Sequence, residues 1–216
     1  MNIASYIEHT ALKPTVTKED VETLCLEAAK WSFGAICVNS SYAALAHTLL
    51  KGTTVRVTVV VGFPLGAMAT EIKAAEAKWA VIHGADEIDM VQALGAVKSG
   101  DWEAVEADIA AVVNAADGLP VKVILETGVL TDEEKRRSCL AAVQSGATYV
   151  KTSTGFGYGG ATVADVTLMR QTIGAAAGIK ASGGIRDKKT ALAMIAAGAN
   201  RIGTSSGVAI MTEPVV

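Results

Sequence analysis

The sequence predicts a (β/α)8 TIM barrel, an α/β fold in one domain over residues 1–216. Three observations carry that expectation. Short β-rich segments alternate with amphipathic helical stretches along the whole chain with no second composition regime, the pattern of one parallel α/β domain. Half of the residues are apolar, 19% are charged and only 5% are aromatic, a mix that suits tightly packed α/β layers. Polar and ionisable residues gather at the C-terminal ends of the strands, where such barrels carry their working groups.

The elements follow in order. The segment around Tyr6–Thr10 is the first strand. Seven more are expected at Ala35–Asn39, Arg56–Gly62, Asp86–Val91, Val121–Glu126, Thr148–Lys151, Ile179–Ser182 and Arg201–Gly203. Several read as apolar runs, as buried parallel strands do. Between them, Val21, Leu24, Cys25 and Ala28 make a helical stripe behind a Thr17 cap. Trp102, Val105, Ile109 and Val112 do so behind Asp101, and Val163, Val166, Met169 and Ile173 make another. Thr131 with Glu134 forms a capping box. Gly34, Gly84, Gly146 and Gly198, each followed by Ala, with Gly118 and Gly178, are expected to end helices in the left-handed conformation. A closed barrel and an open doubly wound sheet both fit this alternation. The lack of a G-x-G-x-x-G turn after the first strand disfavours the dinucleotide-binding sheet.

Composition excludes several function classes. A formal charge of −3 without any Lys/Arg block leaves no footprint for nucleic acid. The start lacks a basic region followed by an apolar one, so it does not read as a signal peptide. The most apolar stretch, Val57 to Ala69, is broken by Gly62, Pro64 and Gly66 and is too short to span a bilayer. Three cysteines without metal-like spacing argue against a disulfide framework and for a reducing, cytoplasmic setting. His9, His47 and His83 are far apart and no H-E-x-x-H occurs, so no metal and no cofactor is expected. His9 reads as a structural hydrogen-bonding residue and Cys37 as a small buried one.

Two lysines stand apart because they end predicted strands instead of facing outward from helices. Lys151 and Lys180 close adjacent strands, which makes their amines neighbours in the barrel mouth. Desolvation and a nearby cation both favour a neutral lysine amine, the nucleophile that forms a Schiff base. Asp89 ends an apolar strand, where an unpaired carboxylate is costly; it reads equally as an ion-pair partner and as a proton carrier. Lys122, by contrast, reads as a structural strand lysine with Glu126 as its partner. Gly183-Gly184 and Ser205-Ser206 follow the seventh and eighth strands, the loops from which barrels often build a phosphate site, with Ser205 or Ser206 doubling as a helix cap.

These residues lie in motifs that resemble one family. Glu8-His9-Thr10-Ala11-Leu12-Lys13-Pro14, Glu87-Ile88-Asp89-Met90-Val91, Val150-Lys151-Thr152-Ser153-Thr154-Gly155-Phe156, Lys180-Ala181-Ser182-Gly183-Gly184-Ile185-Arg186 and Gly203-Thr204-Ser205-Ser206-Gly207 are similar, in order and over essentially the whole chain, to deoxyribose-phosphate aldolases. The resemblance implies reversible, class I cleavage of 2-deoxy-D-ribose 5-phosphate to D-glyceraldehyde 3-phosphate and acetaldehyde. It implies Lys151 as the Schiff-base lysine and Asp89 with Lys180 as its proton-relay pair. Gly155, Gly183, Gly184, Ser205 and Ser206 match phosphate-binding positions, and Thr154 and Cys37 match positions lining the pocket. A homo-oligomer, dimer or tetramer, is expected, with no nucleic-acid or membrane partner. Two departures stand out: Glu8 occupies a position where the family motif has aspartate, and Gln92-Ala93-Leu94 replaces an Asn-containing stretch. Both bear on substrate preference, not on reaction class. The rivals are another Schiff-base aldolase or transaldolase and a catalytically idle sugar-phosphate-binding barrel; the latter needs none of Asp89, Lys151 and Lys180.

Overall fold

The computed structural model describes residues 2–213; residues 1 and 214–216, the ends of the expected domain, lie outside the described residues. The strands are β1 (Ile7–Ala11), β2 (Ala35–Val38), β3 (Arg56–Val61), β4 (Glu87–Val91), β5 (Val121–Ile124), β6 (Tyr149–Lys151), β7 (Gly178–Ser182) and β8 (Arg201–Thr204). Each pairs in parallel with the next, and β1 pairs with β8, closing the barrel. The helices are α1 (Lys18–Trp31), α2 (Ala43–Leu50), α3 (Thr70–Ile82), α4 (Leu94–Ser99), α5 (Trp102–Ala115), α6 (Asp132–Gln144), α7 (Val163–Ile173), α8 (Lys188–Ala196) and α9 (Gly207–Thr212). The fold is the predicted (β/α)8 barrel in one domain. Among the described residues no helix is long and apolar enough to cross a membrane.

Local chemistry sets the helix starts. Thr17 and Asp20 exchange hydrogen bonds in a capping box ahead of α1, at 3.3 and 2.8 Å, and Thr131 and Glu134 do the same for α6. Asp101 caps α5 by accepting from the Ala104 N–H at 3.1 Å. The expected stripes face the barrel: Val21, Leu24, Cys25 and Ala28 on α1, and Val105, Ile109 and Val112 on α5, are buried. Each large apolar side chain so buried contributes about 1.5–3 kcal/mol. Two members fall short: Trp102, at the start of α5, is half-buried, and Val163, at the start of α7, is exposed, while Val166, Met169 and Ile173 are buried.

The glycine junctions are of two kinds. Gly84, Gly118, Gly146 and Gly198 have positive φ as expected, but Gly34 and Gly178 do not. Those two are glycine for lack of room: a Cβ would stand 2.4 Å from the Ser5 carbonyl oxygen at Gly34 and 2.2 Å from the Tyr149 ring at Gly178. Before β2 the left-handed residue is instead Ser32, at φ 54°.

The strands are not uniformly apolar. Successive residues point to opposite faces, and the apolar ones, such as Ile36, Val57, Val59, Ile88, Met90, Val123, Val150, Ile179 and Ile202, belong to the core shared with the helices. The alternate positions hold Glu8, Cys37, Thr58, Glu87, Asp89, Lys122, Lys151, Lys180 and Arg201, all buried. The barrel axis is therefore lined by charge, where branched aliphatic side chains usually dominate.

Candidate active site

Strand register assembles the site. Lys151 and Lys180 are direct partners between β6 and β7, and Asp89 pairs with Lys122 between β4 and β5. Asp89 Oδ2 accepts from Lys151 Nζ and Lys180 Nζ, each at 2.7 Å, and Oδ1 accepts from Lys122 Nζ at 2.9 Å. A second layer lies below. Glu8 bonds Lys180, and Glu87 takes Lys122 at 2.6 Å, Arg56 at 2.9 Å and Arg201 at 3.3 Å. Thr58 Oγ1 accepts from Lys122 at 3.3 Å. Gly203 makes room for this network, since a Cβ there would stand 2.9 Å from Lys180 Cε.

Lys122 thus does not pair with Glu126 as expected. It is the third cation on Asp89, and Glu126, two residues beyond the end of β5, accepts hydrogen bonds from Thr154 in the loop after β6 instead. Cys37 is fully buried, with Sγ 4.0 Å from Asp89 Oδ2. Burial pushes its thiol above the usual range. His9 Nε2 donates to the Glu27 carboxylate at 2.7 Å, and the ring packs edge-on against Phe33, as a structural residue would.

Above the network a cleft of about 770 Å³ opens at the C-terminal end of the barrel. Lys151 reaches its floor, while Thr154, Gly155, Gly183, Gly184 and Ser205 line its wall. Cys37 and Ser206 are not among the lining residues. The Ser206 N–H is spent on Thr204 Oγ1 at 2.9 Å; Ser206 precedes α9 but makes no side-chain cap. The loops after β6, β7 and β8 are therefore brought together around one opening with a lysine amine at the bottom.

Over residues 3–213 the chain matches the model of DeoC/LacD family aldolases. The chain belongs to that family. The deoxyribose-phosphate aldolase of Brevibacillus brevis is 56% identical over 212 residues, covering 98% of this chain and 96% of the relative. That of Carboxydothermus hydrogenoformans is 55% identical over 213 residues, 97% and 93% of the two chains. Among solved structures, the deoxyribose phosphate aldolase from Aeropyrum pernix, described as having a unique tetrameric structure, superposes with a TM-score of 0.91. It is 35% identical and covers 97% of this chain and 89% of its own.

Charge in this aldolase is balanced by proximity. Burial alone raises the carboxyls of Asp89 and Glu8, but the surrounding ammonium groups outweigh it; Asp89 is held well below the usual carboxylate range and Glu8 below it. Burial likewise lowers the lysines, yet Asp89 and Glu8 hold Lys122 above and Lys180 well above the ordinary value. Depressed carboxylates contribute stability above the unfolded carboxylate range, lost as pH falls through their lower folded values; raised lysines contribute stability below the unfolded lysine value, lost only at still higher pH. The cluster is therefore expected to add no slope to stability between about pH 5 and 10. Stability should begin to fall on acidification only below about pH 5; a urea midpoint, followed by circular dichroism, that already falls between about pH 9 and 7 would contradict this charge state.

Sequence reasoning gave no role to Thr58 and Glu87 and read Lys122 and Glu126 as a structural pair, whereas Lys122 joins Asp89 and Glu126 takes Thr154. The two departures also find their places. Glu8 is fully buried among Lys180, Lys122 and Thr58, beneath the cleft and not in it. Gln92 is buried too, its Nε2 donating to the Leu125 carbonyl at 2.8 Å and tying the end of β4 to the end of β5.

Proposed function

We propose that this aldolase reversibly cleaves 2-deoxy-D-ribose 5-phosphate to D-glyceraldehyde 3-phosphate and acetaldehyde through a Schiff base on Lys151. The observation that carries the reading is the pair of register-matched lysines on one Asp89 oxygen, of which Lys151 reaches the floor of a cleft walled by glycine and serine loops. The neutral Lys151 amine adds to the C1 aldehyde of the open-chain sugar, and loss of water from the carbinolamine gives an iminium. A base removes the proton of the C3 hydroxyl. The C2–C3 bonding pair then moves into the C1–C2 bond, leaving an enamine, while C3 departs as the aldehyde of glyceraldehyde 3-phosphate. Protonation of the enamine at C2 restores an iminium, and water releases acetaldehyde and the amine. Asp89 joins Lys151 and Lys180 through one oxygen, so these two and a bound water are the carriers for the proton transfers. Gly155, Gly183, Gly184 and Ser205 receive the 5-phosphate where their loops meet, and Thr154 lines the same cleft; Ser206, its N–H bonded to Thr204, and Cys37, buried beside Asp89, stand behind that lining.

Turnover of 2-deoxyribose 5-phosphate against fructose phosphates tests the substrate; preference for the latter would reassign the enzyme to a different aldolase. Aldol activity is expected to survive exhaustive EDTA treatment and not to rise with Zn²⁺. Loss on chelation with recovery on adding metal would overturn the Schiff-base mechanism. Gly184→Glu sets a carboxylate against the proposed phosphate. It should raise KM for the 5-phosphate far more than for unphosphorylated 2-deoxyribose, and equal effects would place the phosphate elsewhere.

The proposed setting is the reducing cytosol, consistent with Cys25, Cys37 and Cys139 all being free and buried. The proposed assembly is a homo-oligomer. Ile72, Trp79 and Ile82 on α3 are 58%, 40% and 70% exposed, apolar surface that a partner copy would cover; light scattering decides its size.

A further inference from the structure

We propose that Glu126 is a positioning residue that sets the loop after β6 for the phosphate arm of the substrate. The inference rests on the reading that this cleft receives a 5-phosphate. Glu126 combines two unfavourable features. Its backbone is left-handed, at φ 57° and ψ 61°, a conformation that is strained for any residue with a Cβ. Its side chain is 1% exposed and pairs with no cation among the described residues, so water is replaced only by the donors it meets.

Those donors belong to one residue. The Thr154 N–H lies 3.3 Å from each carboxylate oxygen, and the Thr154 hydroxyl donates to Oε2. The same hydroxyl accepts the Phe156 N–H at 3.1 Å. A relay thus runs from Phe156 through Thr154 to Glu126 and fixes both sides of Gly155. Gly155 in turn rests against Gly183, where an added Cβ would stand 3.6 Å from the Gly155 Cα. The cradle at the mouth of β6 and β7 is therefore braced from β5. The brace is itself anchored: the Leu125 N–H donates to the Lys151 carbonyl at 2.9 Å and the Thr127 N–H to the Thr152 carbonyl at 3.0 Å.

A carboxylate suits this place because Thr154 presents two donors and a carboxylate has only acceptors. An amide can serve one of them but turns its NH2 toward the other. The backbone shape of Gly155 loosens, and with it the part of the substrate that sits farthest from the amine.

The test compares steady-state kinetics on 2-deoxyribose 5-phosphate and unphosphorylated 2-deoxyribose for Glu126→Gln, Glu126→Gly, Thr154→Val and the Glu126→Gln/Thr154→Val pair. Glu126→Gln is expected to raise KM for the phosphorylated sugar roughly tenfold, the effect of losing one charge-assisted hydrogen bond, with a smaller change in kcat and in the unphosphorylated KM. Glu126→Gly relieves the left-handed strain and should show the same selectivity. The paired variant should be no worse than the worse single one, because both act through one contact. Borohydride trapping of acetaldehyde on Lys151 certifies that each variant is folded. If Glu126→Gln folds poorly, Thr154→Val must still raise the phosphorylated KM selectively. Equal effects on the two sugars, or additive effects in the pair, overturn the proposal. If Gly184→Glu discriminates between the sugars and the Glu126 variants do not, only the role of Glu126 fails. If neither discriminates, the phosphate reading fails as well.

Discussion

Lys151→Ala is expected to lower turnover by roughly four orders of magnitude or more, the scale on which removal of a covalent nucleophile acts. It should also abolish the adduct that borohydride traps in the presence of acetaldehyde. The substitution leaves Asp89 with Lys180 at 2.7 Å and Lys122 at 2.9 Å, so the carboxylate keeps partners on both oxygens and the barrel stays folded. In the unsubstituted enzyme, reduction converts the iminium to an N-ethyl lysine. Peptide mapping should place it on the fragment containing Lys151-Thr152-Ser153-Thr154. The rival assignment is close in space, since Lys180 is the register partner of Lys151 and binds the same oxygen. What separates the two is surroundings: Lys151 reaches the floor of the cleft, whereas Lys180 is fully buried and also bonded to Glu8. A label recovered on Lys180 would sink the assignment.

Much of this was legible in the sequence because the fold is periodic. All eight strands fall where helix stripes, caps and turn residues bracket them, with ends displaced by one or two residues. The end of β5 shows why. Glu126 continues an apolar run that reads as strand, but its left-handed backbone turns the chain under the Thr154 loop. No local propensity announces that; it depends on donors contributed from the next strand. The lysines and Asp89 stood out because charges at strand ends are costly without a purpose. The lower layer did not, although a signal was present. Glu87-Ile88-Asp89 on β4 and Val121-Lys122-Val123 on β5 alternate charge with aliphatic residues at the strand period of two. Taken as strict alternation, this puts Glu87, Asp89 and Lys122 on the barrel axis; the pair of Lys122 with Glu126 is excluded only by the observed pairing of β5 with β4, which sets Lys122 beside Asp89. Ser206 was indistinguishable from Ser205 in sequence; which of them faces the cleft depends on where α9 begins.

Lys180→Leu should separate the two duties of that residue. It leaves Glu8, fully buried, with Lys122 at 3.6 Å as its remaining cation. Breaking a buried pair in this way costs about 3–5 kcal/mol, a fall in Tm on the order of 6–20 °C for a chain of this size. Activity should drop by roughly 10²–10⁴-fold as a proton carrier is lost, while Lys151, still present, forms some trapped adduct. Adding Glu8→Leu removes the orphaned carboxylate and restores the balance of buried charge. Apolar replacement of a buried pair is often neutral or stabilising, so the Glu8→Leu/Lys180→Leu protein should regain most of the lost Tm. Its activity should remain as low as that of Lys180→Leu, because the group beside Asp89 Oδ2 is still missing. Recovery of turnover together with stability would mean that Lys180 serves the fold alone. A Lys180→Leu protein that is as stable as the parent would mean that the Glu8 contact carries no weight, and complete loss of trapping in a folded Lys180→Leu protein would return the Schiff base to Lys180.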